Sequence, residues 1–413
     1  MTVIARRDFL KTVGGASLAG SLPGGGMAAQ VSADSAPSAF GFTDDRVPMN
    51  AANLCPMPVV VRDAVATYAR ELDRDMSHLN RGRIEGLKED ARSRVAKQLG
   101  VSADEVAIVR NTSEANNIVV QGLPLEEGDE ILLWDQNHPS NGVAWDVQAT
   151  RSGCTVRRIA VPASVNSTGE VVDLFVNALG PATRVVSFTH ISNVSGMRLP
   201  AGEICRALRK KREDVYLHVD GAQTWGIADV NLARLDCDSF SASAHKWFMG
   251  PREVGLLYVR RPYVERLWPN SVSVPWGDRA DPSVIGARKF EAFGQRDDAA
   301  IAALGDAVGF HEKLTPAGVE QRAAALAARL RDGLEELGVP FVSPRKPEFT
   351  SNVVILAAPR ENGAVLVDRV LRESGIIVAA VGGLRMTPHI YNTDAHIDRM
   401  IGAVAKLRDL LTT

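Results

Sequence analysis

Short apolar runs recur along this chain, and most of them end in a cluster of polar residues. Val106–Val109 gives way to Arg110-Asn111-Thr112-Ser113, Glu130–Trp134 to a segment from Asp135 to Asn141, Arg184–Phe188 to Thr189-His190-Ile191-Ser192-Asn193, and Tyr216–Val219 to Asp220. Apolar runs of this length are buried strands. Between them lie stretches with helical spacing, such as 85–99, where Leu87, Ala91, Val95 and Leu99 form one stripe. Strands alternating with helices dictate an α/β fold with a mainly parallel sheet. Open sheets of that kind take their ligands beyond the carboxyl ends of the strands, where these polar clusters stand.

Two of the clusters specify a chemistry together. Asp220 closes the run His218-Val219-Asp220-Gly221-Ala222-Gln223. A second short run, Ser239-Phe240-Ser241-Ala242, leads into Ser243-Ala244-His245-Lys246-Trp247. An acid at one strand end and a lysine at the next are what pyridoxal 5'-phosphate (PLP) chemistry needs. The lysine forms a Schiff base with the cofactor, and the acid keeps the pyridine nitrogen protonated so that the ring accepts electrons. Taken singly, Lys246 reads as a surface lysine and Asp220 as a turn acid. Thr112 and Ser113 open a helix after a strand, where backbone N–H groups and hydroxyls hold a phosphate. The same pattern followed by an acid is also a helix cap. His138, at the strand end after Trp134, is placed to stack on a flat ring or to sit in a solvated turn.

The bulk properties exclude other classes. With 413 residues, 45% of them hydrophobic, the chain supports a large core and a smaller second domain. A net charge of −2 gives no basic excess that would point to nucleic acid. The four cysteines, Cys55, Cys154, Cys205 and Cys237, have no metal-ligand spacing, so no metal site is expected. Cys237 reads as a packed core thiol.

The N-terminus reads as a targeting segment. Arg6-Arg7, then Phe9-Leu10-Lys11, a Gly- and Ala-rich apolar stretch and Met27-Ala28-Ala29 make a twin-arginine export signal over residues 1–33. Export implies a periplasmic location. The remaining chain divides into an N-terminal segment, 34–60, a large PLP-binding domain, 61–297, and a small C-terminal α+β domain, 298–413. Within these, 59–76 has helical periodicity, 78–83 reads as a polar loop (a solvated turn or part of a substrate mouth), and 256–259 fits an edge strand. Residues 261–295 form a long loop with Trp268 and Trp276. The segment before the closing helix carries Leu384-Arg385-Met386-Thr387-Pro388-His389-Ile390-Tyr391-Asn392.

With these motifs in this order, the chain from about Asn53 onward resembles the class V aminotransferases of PLP fold type I, a superfamily that includes cysteine desulfurases and isopenicillin N epimerase. The resemblance implies a large domain built on a mainly parallel seven-stranded sheet, and a homodimer. By position it implies that Thr112, Ser113, Ser243 and His245 bind the cofactor phosphate, that His138 stacks on the ring, and that Asn193 and Gln223 address the ring hydroxyl. It further implies that Asp220 holds the ring nitrogen, that Lys246 is the Schiff-base lysine, and that Arg385 binds a substrate carboxylate. A planar guanidinium suits a carboxylate because it binds in two places. Phe290-Glu291-Ala292 matches the stretch before a cross-dimer phosphate contact, but Gly294 and Gln295 stand where the family has its threonine.

The expected substrate is a small-molecule or peptide-like amine bearing a carboxylate, handled by aminotransferase-type chemistry. Epimerisation as in isopenicillin N epimerase, or tailoring of a siderophore side chain by transamination or decarboxylation, are the alternatives. The last follows from a resemblance to the exported class V enzymes of pyoverdine maturation. Desulfurases carry a catalytic cysteine upstream of the carboxylate arginine, whereas Ala379-Ala380-Val381-Gly382-Gly383 has none, which disfavours desulfuration. The features expected to select the reaction are Asn53, 78–83, Trp145, the Trp276 loop and that cysteine-free segment.

Overall fold

In a computed structural model, residues 37–162, 165–273, 284–292 and 294–412 are described. The twin-arginine segment and Trp276 lie outside them. The chain opens with β1 (Val47–Pro48), α1 (Val59–Arg74) and α2 (His78–Leu99), then runs through β2 (Val106–Val109), α3 (Thr112–Gly122), β3 (Glu130–Trp134), α4 (Pro139–Ser152), β4 (Thr155–Ile159), α5 (Thr168–Ala178), β5 (Thr183–Thr189), α6 (Ala201–Lys211), β6 (Tyr216–Asp220), α7 (Leu232–Leu235), β7 (Ser239–Ser243) and β8 (Gly255–Val259). After α8 (Arg261–Val264) come α9 (Asp298–Ala302), α10 (Leu304–Leu314) and α11 (Pro316–Glu336). The chain finishes with β9 (Val354–Leu356), α12 (Gly363–Ser374), β10 (Ile376–Ile377), β11 (Ala379–Ala380), β12 (Leu384–Met386), α13 (Asp394–Lys406) and α14 (Asp409–Thr412).

Seven strands form the main sheet in the order β2-β8-β7-β6-β5-β3-β4. Only β8 runs antiparallel to its neighbours. The α/β class and the seven-stranded, mainly parallel sheet expected from the sequence are therefore present. The chain steps outward from β3 to β4 and then returns to the other side of β3 to lay down β5. Such a reversal opens a crevice at the carboxyl ends of the strands, where doubly wound sheets bind ligands.

Strand β8 is not at the edge, as the sequence suggested. It lies between β2 and β7, and all five of its residues are buried. Gly255-Leu256-Leu257-Tyr258-Val259 is apolar on both faces, the mark of an interior strand rather than an edge. The polar stretch 78–83 is also not a loop. The Ser77 hydroxyl caps α2 by accepting the Asn80 N–H at 3.4 Å, so the helix starts at His78. Arg83 pairs there with Glu71, on the surface. Trp145 is wholly buried in the core beside the sheet. Cys237 is buried in the core, as expected.

Beyond the main sheet, α9 and α10 pack against α1 and α2, with Tyr68 donating to Asp306 at 3.1 Å. A second, three-stranded sheet, β11-β12-β9, is antiparallel and shares a core with α11, α12 and α13. The N-terminal strand β1 pairs in parallel with β10, so the first described strand is joined to the last quarter of the chain.

Candidate active site

The carboxyl ends of β3, β5, β6 and β7 and the start of α3 deliver the residues singled out from the sequence. Asp220 ends β6 and is wholly buried. Its carboxylate accepts the Ala222 N–H at 3.0 Å and the Asn116 side-chain amide at 3.1 Å. The tight turn after it needs glycine, since a Cβ on Gly221 would fall 1.8 Å from the Phe240 ring. Thr112 and Ser243, 131 residues apart, meet at the N-terminus of α3. The Ser243 hydroxyl accepts the Thr112 N–H at 2.7 Å and shares a hydrogen bond of 2.7 Å with the Thr112 hydroxyl. Ser113 is exposed beside them. Two hydroxyls at a helix N-terminus suit a phosphate.

Four charged or titratable groups converge electrostatically. Burial pushes Lys246 down from the usual lysine range; Asp220 opposes that shift and Arg385 adds to it. His138 is lowered by burial first and by Lys246 next, and it too feels Asp220 and Arg385. Its Nδ1 caps α4, accepting the Ser140 N–H at 3.1 Å, which holds the half-buried ring at the end of β3. Burial and the nearby Lys246 lower His245 to about 4, so it is neutral near pH 7.

Arg385 is only 4% exposed, and among the described residues no acidic side chain pairs with it. Nη1 donates to the Asn193 carbonyl at 3.0 Å and Nη2 to Oδ1 of Asn50 at 3.3 Å, while Nε has no partner. Burial brings the guanidinium down to about 10. Asn193 adds a second unmet group, its buried Oδ1. A buried cation without a counter-ion is costly unless an anion arrives to complete it.

The turn that bears Lys246 is clamped from outside. The Trp247 indole N–H donates to Oε1 of Gln223 at 2.6 Å, and Nε2 of Gln223 donates to the Ala52 carbonyl at 2.9 Å. Gln223 thus holds Trp247, and one amide hydrogen remains for a ligand. The carbonyls of Trp247 and Phe248 accept from the buried histidines His389 and His311, at 2.7 and 2.8 Å. Burial lowers these imidazoles to about 3 and about 4, so both are neutral donors.

The donor set fits PLP: hydroxyls at a helix N-terminus for the phosphate, a buried carboxylate at a strand end for the ring nitrogen, and an unshared asparagine oxygen beside them. The model for "Aminotransferase class-V" matches residues 50–401. The chain belongs to the class V aminotransferase family. Isopenicillin N epimerase of Amycolatopsis lactamdurans is 32% identical over 380 residues, 87% of this chain and 94% of the relative. A probable cysteine desulfurase of Pyrococcus abyssi is 25% identical, over 86% of this chain and 92% of its own. Among solved structures, a C-DES variant with glycine covalently linked to its PLP cofactor superposes with a TM-score of 0.80 at 26% identity, covering 87% of this chain and 96% of that one.

Several residues escaped the sequence reading. Asn116 and His218 stand behind Asp220, Asn50 supports Arg385, and His311 and His389 brace the lysine turn. A signal for Asn116 was present, since it lies four residues after Thr112 on the same helix face. The alternation Ser239, Ser241, Ser243 on a wholly buried strand was another.

Proposed function

We propose that this class V aminotransferase family member is an exported PLP enzyme that removes the proton from the amine-bearing carbon of a carboxylate substrate. The observation that carries this reading is the buried Arg385, which among the described residues has no acidic partner and whose Nε is unmet, in one chain with the strand-end pair Asp220 and Lys246. The cofactor is PLP. When bound, it supplies an electron sink for the electrons left by the departing proton. Thr112, Ser243 and the N-terminus of α3 would hold its phosphate, with Ser113 and His245 nearby. His138 would face the ring, Asn193 and Gln223 would address the ring hydroxyl, and Asp220 would hold the ring nitrogen.

Lys246 has two tasks, nucleophile toward the cofactor aldehyde and base toward the substrate carbon. Both require a neutral amine, and burial assisted by Arg385 shifts Lys246 that way. Arg385 fixes the substrate carboxylate through Nε and its remaining N–H groups, and so fixes which C–H bond faces Lys246. The Trp247 and Phe248 carbonyls, tied to His389 and His311, keep the lysine turn from drifting.

Two outcomes follow removal of that proton. Transfer of the amino group to a keto-acid acceptor is aminotransferase-type chemistry. Return of a proton to the opposite face is epimerisation, and the 32% identity to isopenicillin N epimerase favours that second reading. Desulfuration is not proposed: the turn before Arg385 has no thiol, and all four cysteines are buried.

Incubation in deuterium oxide with carboxylate-bearing amines and peptides tests the reading. Label at the amine-bearing carbon with inverted configuration marks epimerisation, and a keto product marks transamination. No exchange with any carboxylate amine, from protein that retains cofactor, would overturn it. Export is tested by cell fractionation: Arg6→Lys/Arg7→Lys should stay inside the cell, and equal periplasmic amounts would refute export. A homodimer is proposed too, and sedimentation of the purified protein as a monomer would refute it.

A further inference from the structure

The face of the sheet beneath Asp220 carries a chain of hydrogen bonds that the reaction does not use directly. His218 and Asp220 are two residues apart on β6, and so share a face. Ser239 and Ser241 lie opposite them on β7, in the register His218 to Ser239 and Asp220 to Ser241. Helix α3 covers this face and inserts Asn116 between the two strands. All five residues are buried.

The direction of each bond follows from what each atom can do. A carboxylate accepts only, so the Asn116 amide nitrogen faces Asp220 at 3.1 Å and its oxygen faces away. That oxygen then accepts the Ser241 hydroxyl at 2.6 Å and the His218 Nε2–H at 3.0 Å. With its proton on Nε2, a neutral His218 has Nδ1 free to accept the Ser239 hydroxyl at 2.7 Å. Burial lowers His218 to about 4, which keeps this neutral form at ordinary pH. Every bond in the series Ser239 → His218 → Asn116 → Asp220 therefore donates toward the carboxylate. Donor chains aligned in a dry interior strengthen one another, so the carboxylate is held in one orientation.

We propose that Asn116 and His218 are positioning residues that hold the Asp220 carboxylate aimed at the ring nitrogen of PLP, with Ser239 fixing the tautomer of His218. This rests on the PLP reading above. The relay also shares its helix with the phosphate end of the site. Thr112 and Asn116 are one turn apart on α3, and Ser243 and Ser241 meet them from β7. One pair of elements thus sets the distance between the Thr112 and Ser243 hydroxyls and the support of the Asp220 carboxylate.

The test is rebinding of PLP, and of its carbocyclic analogue with carbon in place of the ring nitrogen, by full-length chain stripped of cofactor. Wild type should prefer PLP. Asn116→Leu should lose about tenfold of that preference, with analogue binding near wild type and a lowered melting temperature, because the His218 Nε2–H and the Ser241 hydroxyl lose their acceptor. His218→Leu should do the same, whereas His218→Gln, which keeps an N–H near the Nε2 position, should recover most of it. An unchanged preference in Asn116→Leu and His218→Leu overturns the proposal, as does equal weakening toward both ligands. If Asn116→Leu does not fold, Asn116→Ala and the His218 pair decide by the same criteria. A wild type that prefers neither ligand shows that Asp220 does not act on the nitrogen and also overturns it. A wild type that binds neither ligand instead refutes the PLP reading on which it rests.

Discussion

Two polar regions lie within the same crevice and are built in opposite ways. Behind Asp220, Asn116, His218, Ser239 and Ser241 donate and accept in series. Around Arg385, Nε of the guanidinium and Oδ1 of Asn193 are buried with no partner. A saturated network is rigid and holds its shape before any ligand arrives. An unsaturated one is costly in the free protein and is relieved by the ligand it awaits. On the proposed reading, the saturated half would hold the cofactor and the unsaturated half would await the substrate carboxylate.

The comparison can be broken or sharpened by mutation. The largest effect is expected where the halves meet. Lys246→Ala should lose roughly a thousandfold or more of the proton-exchange rate, and borohydride should no longer fix cofactor to the peptide carrying position 246. A retained reducible adduct would assign the attachment elsewhere. Arg385→Met should lower kcat/KM for a carboxylate substrate by roughly a hundredfold, for about 3 kcal/mol of charge-assisted bonding. In the free protein the same change removes a buried, unpaired charge, so its melting temperature should rise by about 2 °C or more. A fall in melting temperature would show that Arg385 holds the fold rather than a ligand.

Acid should act on the buried histidines behind Asp220 and against the lysine turn. His218, His311 and His389 are lowered by burial to about 4, 4 and 3. Below an ordinary histidine pKa of about 6.5, the unfolded chain takes up protons that these buried rings refuse. Stability is therefore full above about pH 6.5 and is lost as the pH falls toward 4. Thermal melts across that window should show the decline, and His389→Gln should make it shallower. The smallest effect is expected from Asn50→Ala, which removes one long hydrogen bond to Arg385. It should raise KM a few-fold, by about 1 kcal/mol or less, and leave kcat near wild type. A large loss of kcat would place Asn50 in the chemistry itself.

How much of this was legible in the sequence depended on range. The sheet was readable because most of its strands are local apolar runs, and Asp220 and Lys246 were readable because one closes a strand and the other follows one within three residues. Thr112 and Ser243 were named separately, but their contact joins residues 131 apart and no local pattern records it. Asn116 was not singled out, because only the neighbouring strands bury it. The misplacement of β8 at an edge came from its position after the last motif, although its two-sided apolar character already pointed inward. For 78–83 the residue composition outweighed the cap at Ser77, and the helix began sooner than polarity suggested.

The pairing of β1 with β10 fixes an order of events during synthesis. Val47 meets Ile376, and Asn50 meets Arg385, across more than three hundred residues. Loop closure on that scale is slow, and here it is impossible until almost the whole chain has left the ribosome. A nascent chain can assemble the main sheet before Asn50 meets Arg385. On the proposed reading, the carboxylate-binding part of the site therefore forms after the cofactor-binding part, once these two distant segments join.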